Sequence, residues 1–262
     1  MEQQTYKSKY PIILVHDIVA KDWKFFKAFG RIEKKLTSEG YVVYTAPTDG
    51  FGAIETNALQ LKDYVNDILT KHNADKVNII AHSKGGLDAK YMIEHLDMSD
   101  HVASLTTLCT PHKGSPVASA ILRLPKWLTK FVAWWINLWY KILGDKHPDS
   151  LKVCNQLKQQ SAAEPFNFDD KIYCQSYSST LKRSRDDFVM GIPLMFYRFF
   201  DANVCDGLVS AESAQFGQYK GDCLDESVSH SEIIDFMPSK RKRERIHAFY
   251  LQLCDDLTQM GY

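Results

Sequence analysis

Apolar runs alternate with amphipathic segments along the first part of the chain. Residues 10–16 (YPIILVH) and 41–46 (YVVYTA) are short β-branched and aromatic runs, which are typical of buried strands. Residues 21–40, between these runs, carry apolar side chains at helical spacing and end at a glycine, which predicts a helix. The apolar positions of this segment are Trp23, Phe26, Phe29, Ile32 and Leu36.

The alternation continues through four more segments. Residues 55–72 and 85–96 have helical spacing, whereas 76–81 (KVNIIA) and 102–110 (VASLTTLCT) are apolar runs of strand length. Because parallel strands need a crossover between them, this order predicts an α/β protein whose central sheet is mostly parallel and flanked by helices.

No internal repeat, low-complexity stretch or Pro/Gly-rich linker divides the 262 residues. The sequence therefore predicts a single domain, 1–262, that contains an inserted helical lid or cap segment at 116–165.

Charge and cysteine content narrow the class of protein. Lys and Arg total 32 and Asp and Glu total 32, so no net field draws nucleic acid or anionic lipid to the whole surface. Six cysteines without a CxxC pair predict reduced, mostly buried thiols. The start of the chain lacks the apolar stretch of a signal peptide, which favours a cytoplasmic protein. The alternative is a secreted protein whose leader is absent from this sequence.

The segment 79–86 (IIAHSKGG) follows a predicted strand and precedes a predicted helix. Small residues two positions before and after Ser83, namely Ala81 and Gly85, allow a sharp turn that presents the serine hydroxyl above the sheet. The usual motif has glycine at the position of Ala81. The simpler alternative is that Ser83 is an N-cap followed by flexible glycines.

A catalytic serine needs a histidine base, and the histidine needs a carboxylate that orients it. In folds that use such a turn, the acid and then the histidine follow the serine in the chain. Asp206 in NVCDGLVS and His230 in DESVSHSEIIDF meet this order. The reserve acids are Asp201 and Asp222, and the competing histidines are His95, His101, His112 and His247.

Two backbone amides are the predicted donors to an oxyanion. One belongs to Lys84, directly after the serine, and the other to Ile18, in the loop after the first strand. His16 and Asp17 occupy the positions where His-Gly is usual and are predicted to lie beside the substrate. A carboxylate at Asp17 would destabilise an oxyanion unless it points away.

These motifs together resemble the bacterial triacylglycerol lipases of the α/β-hydrolase superfamily. The resemblance rests on YPIILVH, VNIIAHSKGGLDAKYMI, VASLTTLCTPHKGSP, DGLVS and SHSEIID, which lie between Tyr10 and Asp235. It implies a Ser83, Asp206 and His230 triad that cleaves carboxylic esters of lipid-like substrates.

The resemblance implies no cofactor. Some relatives hold a structural calcium ion near the triad, and the candidate ligands here are Asp186, Asp187, Glu232 and Asp235.

Residues 122–147 contain four of the five tryptophans and predict a helix with Pro125 in its first turn and Gly144 past its end. Apolar positions cover most of its surface and leave a narrow polar stripe of Lys126, Lys130, Asn137 and Lys141. We expect a lid that contacts the substrate and makes transient contact with a lipid interface. The predicted substrate contacts are Trp127, Phe131, Trp134, Trp135 and Leu138. The alternatives are a buried helix or a dimer contact.

Other functions stay open at this stage. The same triad serves acyltransferases and thioesterases, and a catalytically silent relative would be a lipid-binding or interaction module.

The basic run at 240–245 (KRKRER) is interpreted as a solvated first turn of the last helix. The predicted partner is a lipid or small ester, not nucleic acid, and the oligomeric state is left open.

Overall fold

The protein is described by a computed structural model that covers residues 7–16, 27–158, 171–187, 190–191, 194–195 and 206–262. The strands are β1 (Ile12–Val15), β2 (Val43–Thr45), β3 (Val77–His82), β4 (Val102–Leu108), β5 (Tyr173–Ser178) and β6 (Gln218–Asp222). The helices are α1 (Ile32–Ser38), α2 (Ile54–His72), α3 (Lys84–His95), α4 (Pro116–Leu122), α5 (Lys126–Ile142), α6 (Ser150–Gln156) and α7 (Lys240–Gln259).

In the described residues the sheet has six strands in the order β2-β1-β3-β4-β5-β6, and every neighbouring pair is parallel. The register places Ile13 beside Ile79 and Ile79 beside Leu105 in the centre of the sheet. The predicted α/β class with a parallel central sheet is confirmed.

Alternate residues of the central strands feed two separate cores. Ile12 and Leu14 pack with residues of α1 and α7, such as Tyr250, on one face of the sheet. Ile13 and Val15 pack with residues of α2 and α3 on the other face. Because both faces of a parallel sheet are covered, its strands are apolar at nearly every position, as the sequence of β1 is.

The predicted helix at 21–40 is shorter in the structure, where α1 begins at Ile32 and ends at Ser38. Ile32 and Leu36 are fully buried, as helical spacing predicted. Residues 17–26, which include Trp23 and Phe26, lie outside the described residues. A turn at 28–31 precedes α1, so the periodic pattern extended past the real start of the helix.

The predicted inserted segment contains α4, α5 and α6, and its last residues, 159–165, lie outside the described part. Helix α5 begins directly after Pro125 and is followed by Gly144, whose φ of +104° suits a residue without a Cβ. Among the described residues, the structure has no helix that is both long and apolar enough to span a bilayer.

Two carboxylates join the loop after β2 to the loop after α5. Asp49 accepts hydrogen bonds from the amides of Lys146 (3.0 Å) and His147 (2.9 Å). Asp145 accepts from the amides of Gly50 (3.1 Å) and Phe51 (2.9 Å). Both carboxylates are buried, so this reciprocal junction fixes the C-terminal end of the inserted helix α5.

Candidate active site

Ser83 stands between β3 and α3 with a backbone φ of 51° and ψ of −129°, a strained conformation for a residue with a side chain. The two glycines that follow are required by close packing. A Cβ on Gly85 would lie 2.5 Å from the carbonyl oxygen of His16, and one on Gly86 would lie 2.2 Å from Thr110 Oγ1. The turn therefore holds Ser83 at the carboxyl end of β3, and Ser83 is not a side-chain N-cap.

Ser83 Oγ lies 2.8 Å from Nε2 of His230, and Nδ1 of His230 lies 2.7 Å from Oδ2 of Asp206. All three side chains are buried. The structure thus brings together the three residues predicted from their order in the chain, although they are 24 to 147 residues apart.

The environment of Asp206 favours its charged form. Burial raises the pKa of this carboxyl, but the charge and hydrogen bond of His230 oppose it and leave the pKa below its ordinary value. Oδ1 also accepts from the amides of Leu208 (3.0 Å) and Val209 (2.8 Å). A carboxylate held in this way can orient the imidazole and stabilise its protonated form.

The loop that carries His230 is fastened by neighbouring polar groups. Ser229 and Ser231 donate hydrogen bonds to Oδ2 of Asp187. Glu232 accepts from the amide of Ser229 (3.1 Å) and pairs with Lys242 on α7 (2.7 Å). These contacts fix the backbone on both sides of the histidine.

The predicted calcium ligands do not fit a calcium site. Lys242 Nζ lies 2.8 and 2.7 Å from the two carboxylate oxygens of Glu232. Asp235 pairs with Arg243 (2.7 Å) and also bonds His247 (3.2 Å). Calcium needs six to eight oxygen ligands, whereas cationic side chains already neutralise two of the four carboxylates.

Of the two predicted oxyanion donors, Lys84 lies in the described residues, whereas Ile18 and the neighbouring Asp17 lie outside them. The Lys84 amide is at the first position of α3, where the helix dipole favours a negative charge. His16 is buried, with Nε2 3.5 Å from Thr48 Oγ1.

A buried charge pair beside the nucleophile was missed from the sequence. Lys84 Nζ lies 2.8 and 2.7 Å from the carboxylate oxygens of Asp88, and both side chains are only 1% exposed. Asn57 donates to Asp88 (3.0 Å) and to the carbonyl oxygen of Asp49 (2.6 Å). The four-residue spacing of Lys84 and Asp88 on one helix was a signal that could have revealed the pair.

An apolar cavity of about 290 Å³ opens at Ser83. Its walls come mainly from α4, α5 and α6 and from three loops at the carboxyl edge of the sheet. The apolar residues of the wall are Phe51, Pro111, Ala118, Ile121, Leu124, Val132, Ala133, Ile136, Leu151, Cys154, Leu157, Leu208 and Val209. The cavity contains no charged side chain among its described lining residues and suits a hydrocarbon chain.

The face of α5 that lines the cavity differs from the prediction. Thr129, Val132, Ala133 and Ile136 face the cavity. The predicted contacts are on the opposite side of the helix and exposed: Trp127, Phe131, Trp134, Trp135 and Leu138. Smaller side chains occupy the cavity wall because α5 approaches α6 closely there, with Ser150 Oγ 3.1 Å from the carbonyl oxygen of Ala133.

The other candidate acids and bases lie elsewhere. His95 and His101 are exposed, and His247 bonds Asp235. Asp222 accepts hydrogen bonds from Ser178 and Thr180, and Asp201 lies outside the described residues.

His112 is half-buried and stacks on Phe216 with ring centroids 4.5 Å apart. Its Nε2 lies 3.1 Å from Thr107 Oγ1. Burial lowers the pKa of His112 to about 3, so its ring is neutral in the folded protein.

His82, for which the sequence predicts no role, lies against His230. Its ring centroid is 4.6 Å from that of His230, with the two planes tilted by 49°. His82, Cys109 and His230 have nitrogen and sulfur atoms within 4.8 Å of one another. His82 therefore forms part of the wall that keeps His230 in place.

A parallel sheet with a serine at a strained strand-to-helix corner, a histidine in a late loop and a buried carboxylate defines the class of α/β-hydrolases. Residues 11–178 match the palmitoyl protein thioesterase family, so the chain belongs to that family. It is a carboxylic ester hydrolase of the lipase and esterase group within the α/β-hydrolase superfamily.

Curated relatives and solved structures agree with this class. Triacylglycerol lipase 2 of Saccharomyces cerevisiae is 28% identical over 259 residues, covering 88% of this chain and 73% of that protein. A triacylglycerol lipase of Pseudarthrobacter phenanthrenivorans is 38% identical over 121 residues, which are 44% of this chain and 37% of that lipase. The resemblance to triacylglycerol lipases is confirmed.

The structure of Staphylococcus hyicus lipase superposes with a TM-score of 0.71 at 16% identity, over 99% of this chain and 98% of that one. The mature form of Bacillus licheniformis lipase BlEst2 superposes with a TM-score of 0.65 at 18% identity, over 94% and 92%. At these identities the likeness concerns the fold.

Proposed function

We propose that Ser83, His230 and Asp206 form the catalytic triad of this hydrolase and that its substrates are esters of lipid-like carboxylic acids. The observation that carries the proposal is the hydrogen-bonded path from Ser83 Oγ through His230 to Asp206, with distances of 2.8 and 2.7 Å. A serine hydroxyl becomes an effective nucleophile when such a base accepts its proton.

In the first half-reaction, Ser83 Oγ forms a bond to the acyl carbon while its proton passes to Nε2 of His230. The carbonyl electron pair moves to oxygen, and the amides of Lys84 and Ile18 stabilise this oxyanion. When the tetrahedral intermediate collapses, the bond to the alcohol oxygen breaks. The leaving alkoxide takes the proton from His230, and the acyl group remains on Ser83.

In the second half-reaction, water replaces the alcohol. His230 removes a proton from the attacking water, and the same amides stabilise the second oxyanion. Collapse breaks the ester bond to Ser83, whose oxygen recovers the proton from His230. The products are the free acid, the alcohol released earlier and the unchanged enzyme. Asp206 keeps the imidazole in the required orientation throughout.

The apolar cavity beside Ser83 supports an acyl group of hydrocarbon character as the substrate portion bound here. Helix α5 forms part of its roof, so the helix is proposed to act as a lid whose displacement widens access to Ser83. The exposed tryptophans of α5 support contact of this lid with a lipid interface.

Hydrolysis of acyl thioesters is a second candidate function. It is favoured by the match of residues 11–178 to a family described by its palmitoyl protein thioesterase activity. The chemistry requires only that a thiolate replace the alkoxide as the leaving group. Comparing the hydrolysis rates of an oxygen ester and a thioester with the same acyl chain distinguishes the two candidates.

The proposal is tested by the variant Ser83→Ala. We expect the hydrolysis of p-nitrophenyl esters to fall by about 10⁴-fold or more, because the acyl-enzyme cannot form. Fluorophosphonate labelling should disappear in the same variant, whereas the exposed Ser38→Ala control should be labelled like the wild type. Full activity of a folded Ser83→Ala protein would overturn the proposal.

A further inference from the structure

The two sides of α5 have different surroundings. On the inner side, Asn137 accepts a hydrogen bond from the amide of Ser150 (2.8 Å), and the ring of Tyr140 packs edge-on against Phe51 with centroids 4.5 Å apart. Asn137 lies within the predicted polar stripe of α5 but is half-buried, so it ties that edge of the helix to Ser150. These contacts hold α5 against the protein and leave its outer side to solvent.

The outer side of α5 is strongly apolar. With 3.6 residues per turn, seven large apolar side chains of the outer side fall within an arc of about 140°. They are Trp127, Phe131, Trp134, Trp135, Leu138, Trp139 and Ile142, with exposures from 39% to 72%. Other exposed large apolar residues of the described chain are scattered along the sequence, for example Leu59 and Tyr219. A patch of this kind marks a binding surface.

The charge of the same helix has one sign. No acidic residue occurs between Ile121 and Gly144, whereas Arg123, Lys126, Lys130 and Lys141 are all present and exposed. Lys126, Lys130 and Lys141 lie within an arc of about 60° that borders the apolar arc. The chain as a whole has a formal net charge of zero, so this positive flank is a local feature.

We propose that the outer side of α5 docks on the surface of an anionic lipid bilayer. The tryptophans and phenylalanine would enter the interfacial region, while the three lysines contact negative headgroups alongside. The inference rests on the proposed function, because docking would bring ester-bearing lipid to the helix that roofs the cavity. A second copy of this chain is a poorer occupant, since a symmetric contact would bring two lysine flanks together without acidic partners.

The first experiment measures binding of the Ser83→Ala protein to vesicles, so that hydrolysis does not alter the lipid. One set of vesicles is pure phosphatidylcholine and the other contains added phosphatidylglycerol. We expect tighter binding to the anionic vesicles by up to about a hundredfold, from three lysines near the surface. A blue shift of tryptophan fluorescence should accompany binding.

Matched variants distinguish the contribution of the lysines to vesicle binding from that of the tryptophans. Changing Lys126, Lys130 and Lys141 together to Gln should remove the preference for anionic vesicles. The same change at three exposed lysines elsewhere, Lys34, Lys71 and Lys220, should preserve it. Trp127→Ala combined with Trp134→Ala should weaken binding to both kinds of vesicle. Thermal unfolding of every variant checks that the fold is retained.

The outcomes distinguish the docking proposal from the proposed function. Equal affinity for the two kinds of vesicle, or absence of binding by a protein that hydrolyses soluble esters, overturns docking and leaves the triad intact. Anionic-selective binding by a wild-type protein that cleaves no ester or thioester supports docking and overturns the proposed function. Dimerisation that the tryptophan variants abolish, without vesicle binding, identifies a second copy as the occupant and overturns the lipid assignment.

Discussion

The corner around Ser83 and the helix α5 border the same cavity but are built in opposite ways. At the corner, Ser83, Lys84 and Asp88 are buried, and each of these three side chains has a hydrogen-bonded partner. Helix α5 has no buried residue along its 17 positions and exposes its largest apolar side chains. The proposed catalytic groups are therefore held in place by neighbouring polar groups, whereas α5 is attached along one side only.

The buried pair of Lys84 and Asp88 illustrates the cost of this rigidity. Removing an ammonium and a carboxylate from water costs several kcal/mol, which their mutual attraction only partly offsets. Asn57 connects Asp88 to the loop of Asp49, and Asp49 in turn holds the amides after α5. A polar path thus joins the corner at Ser83 to the C-terminal end of α5.

Among the variants that test this comparison, Asp206→Asn is expected to have the largest effect on activity. An asparagine preserves the shape of the corner but cannot stabilise a protonated His230, and its amide favours the wrong tautomer. We expect kcat to fall by about 10⁴-fold with little change in thermal stability. Steady-state kinetics and an unfolding curve on the same preparation check this. A loss of less than about tenfold would assign the acid role to another residue.

Lowering the pH should reduce the stability of the folded protein, because His112 is neutral in the fold. Its pKa in the folded protein is about 3, below the ordinary value of 6.5, so below pH 6.5 the unfolded chain binds a proton that the folded chain does not. The free energy of unfolding therefore falls as the pH drops from 6.5 towards 3, by about 2 kcal/mol between pH 6.5 and 5.

The control for this effect is His112→Gln, which cannot titrate. Urea unfolding at a series of pH values should show a smaller slope for this variant than for the wild type, whereas the exposed His101→Gln should keep the wild-type slope. Identical slopes for His112→Gln and the wild type would mean that His112 is not neutral in the fold.

The smallest effect is expected for a pair of variants that compares the two faces of α5. Ala133 lines the cavity, so Ala133→Trp should fill it and reduce kcat/KM for palmitoyl esters by about tenfold, with little change for acetyl esters. Leu138→Trp, on the outer face, adds a similar ring without entering the cavity. Equal chain-length profiles for these two variants would contradict the assignment of the faces.

The strands and the triad could be predicted because their signals are local or follow chain order. Apolar runs of six to nine residues predicted β1, β2, β3 and β4. The motif at Ser83 indicated where the other two groups should follow.

The orientation of α5 could not be predicted, because apolar residues occupy nearly its whole circumference and the periodicity singles out no inner face. The junction of Asp49 and Asp145 had no signal either, since its partners are separated by about a hundred residues. His82 was missed for a related reason: its side chain meets His230 only after β3 and the late loop come together.

The stretch 115–145, which contains α4 and α5, is anchored at both ends. At the start, Ser115 donates its hydroxyl to the carbonyl of Leu208 (2.8 Å) and its amide to that of Leu157 (2.7 Å). At the end of α5, Asp145 is bound to the loop after β2. The residues between Ser115 and Asp145 can consequently be replaced as one unit while both anchors are kept. Evolution or design can vary which acyl chains and surfaces the enzyme meets while inheriting the surroundings of Ser83 unaltered.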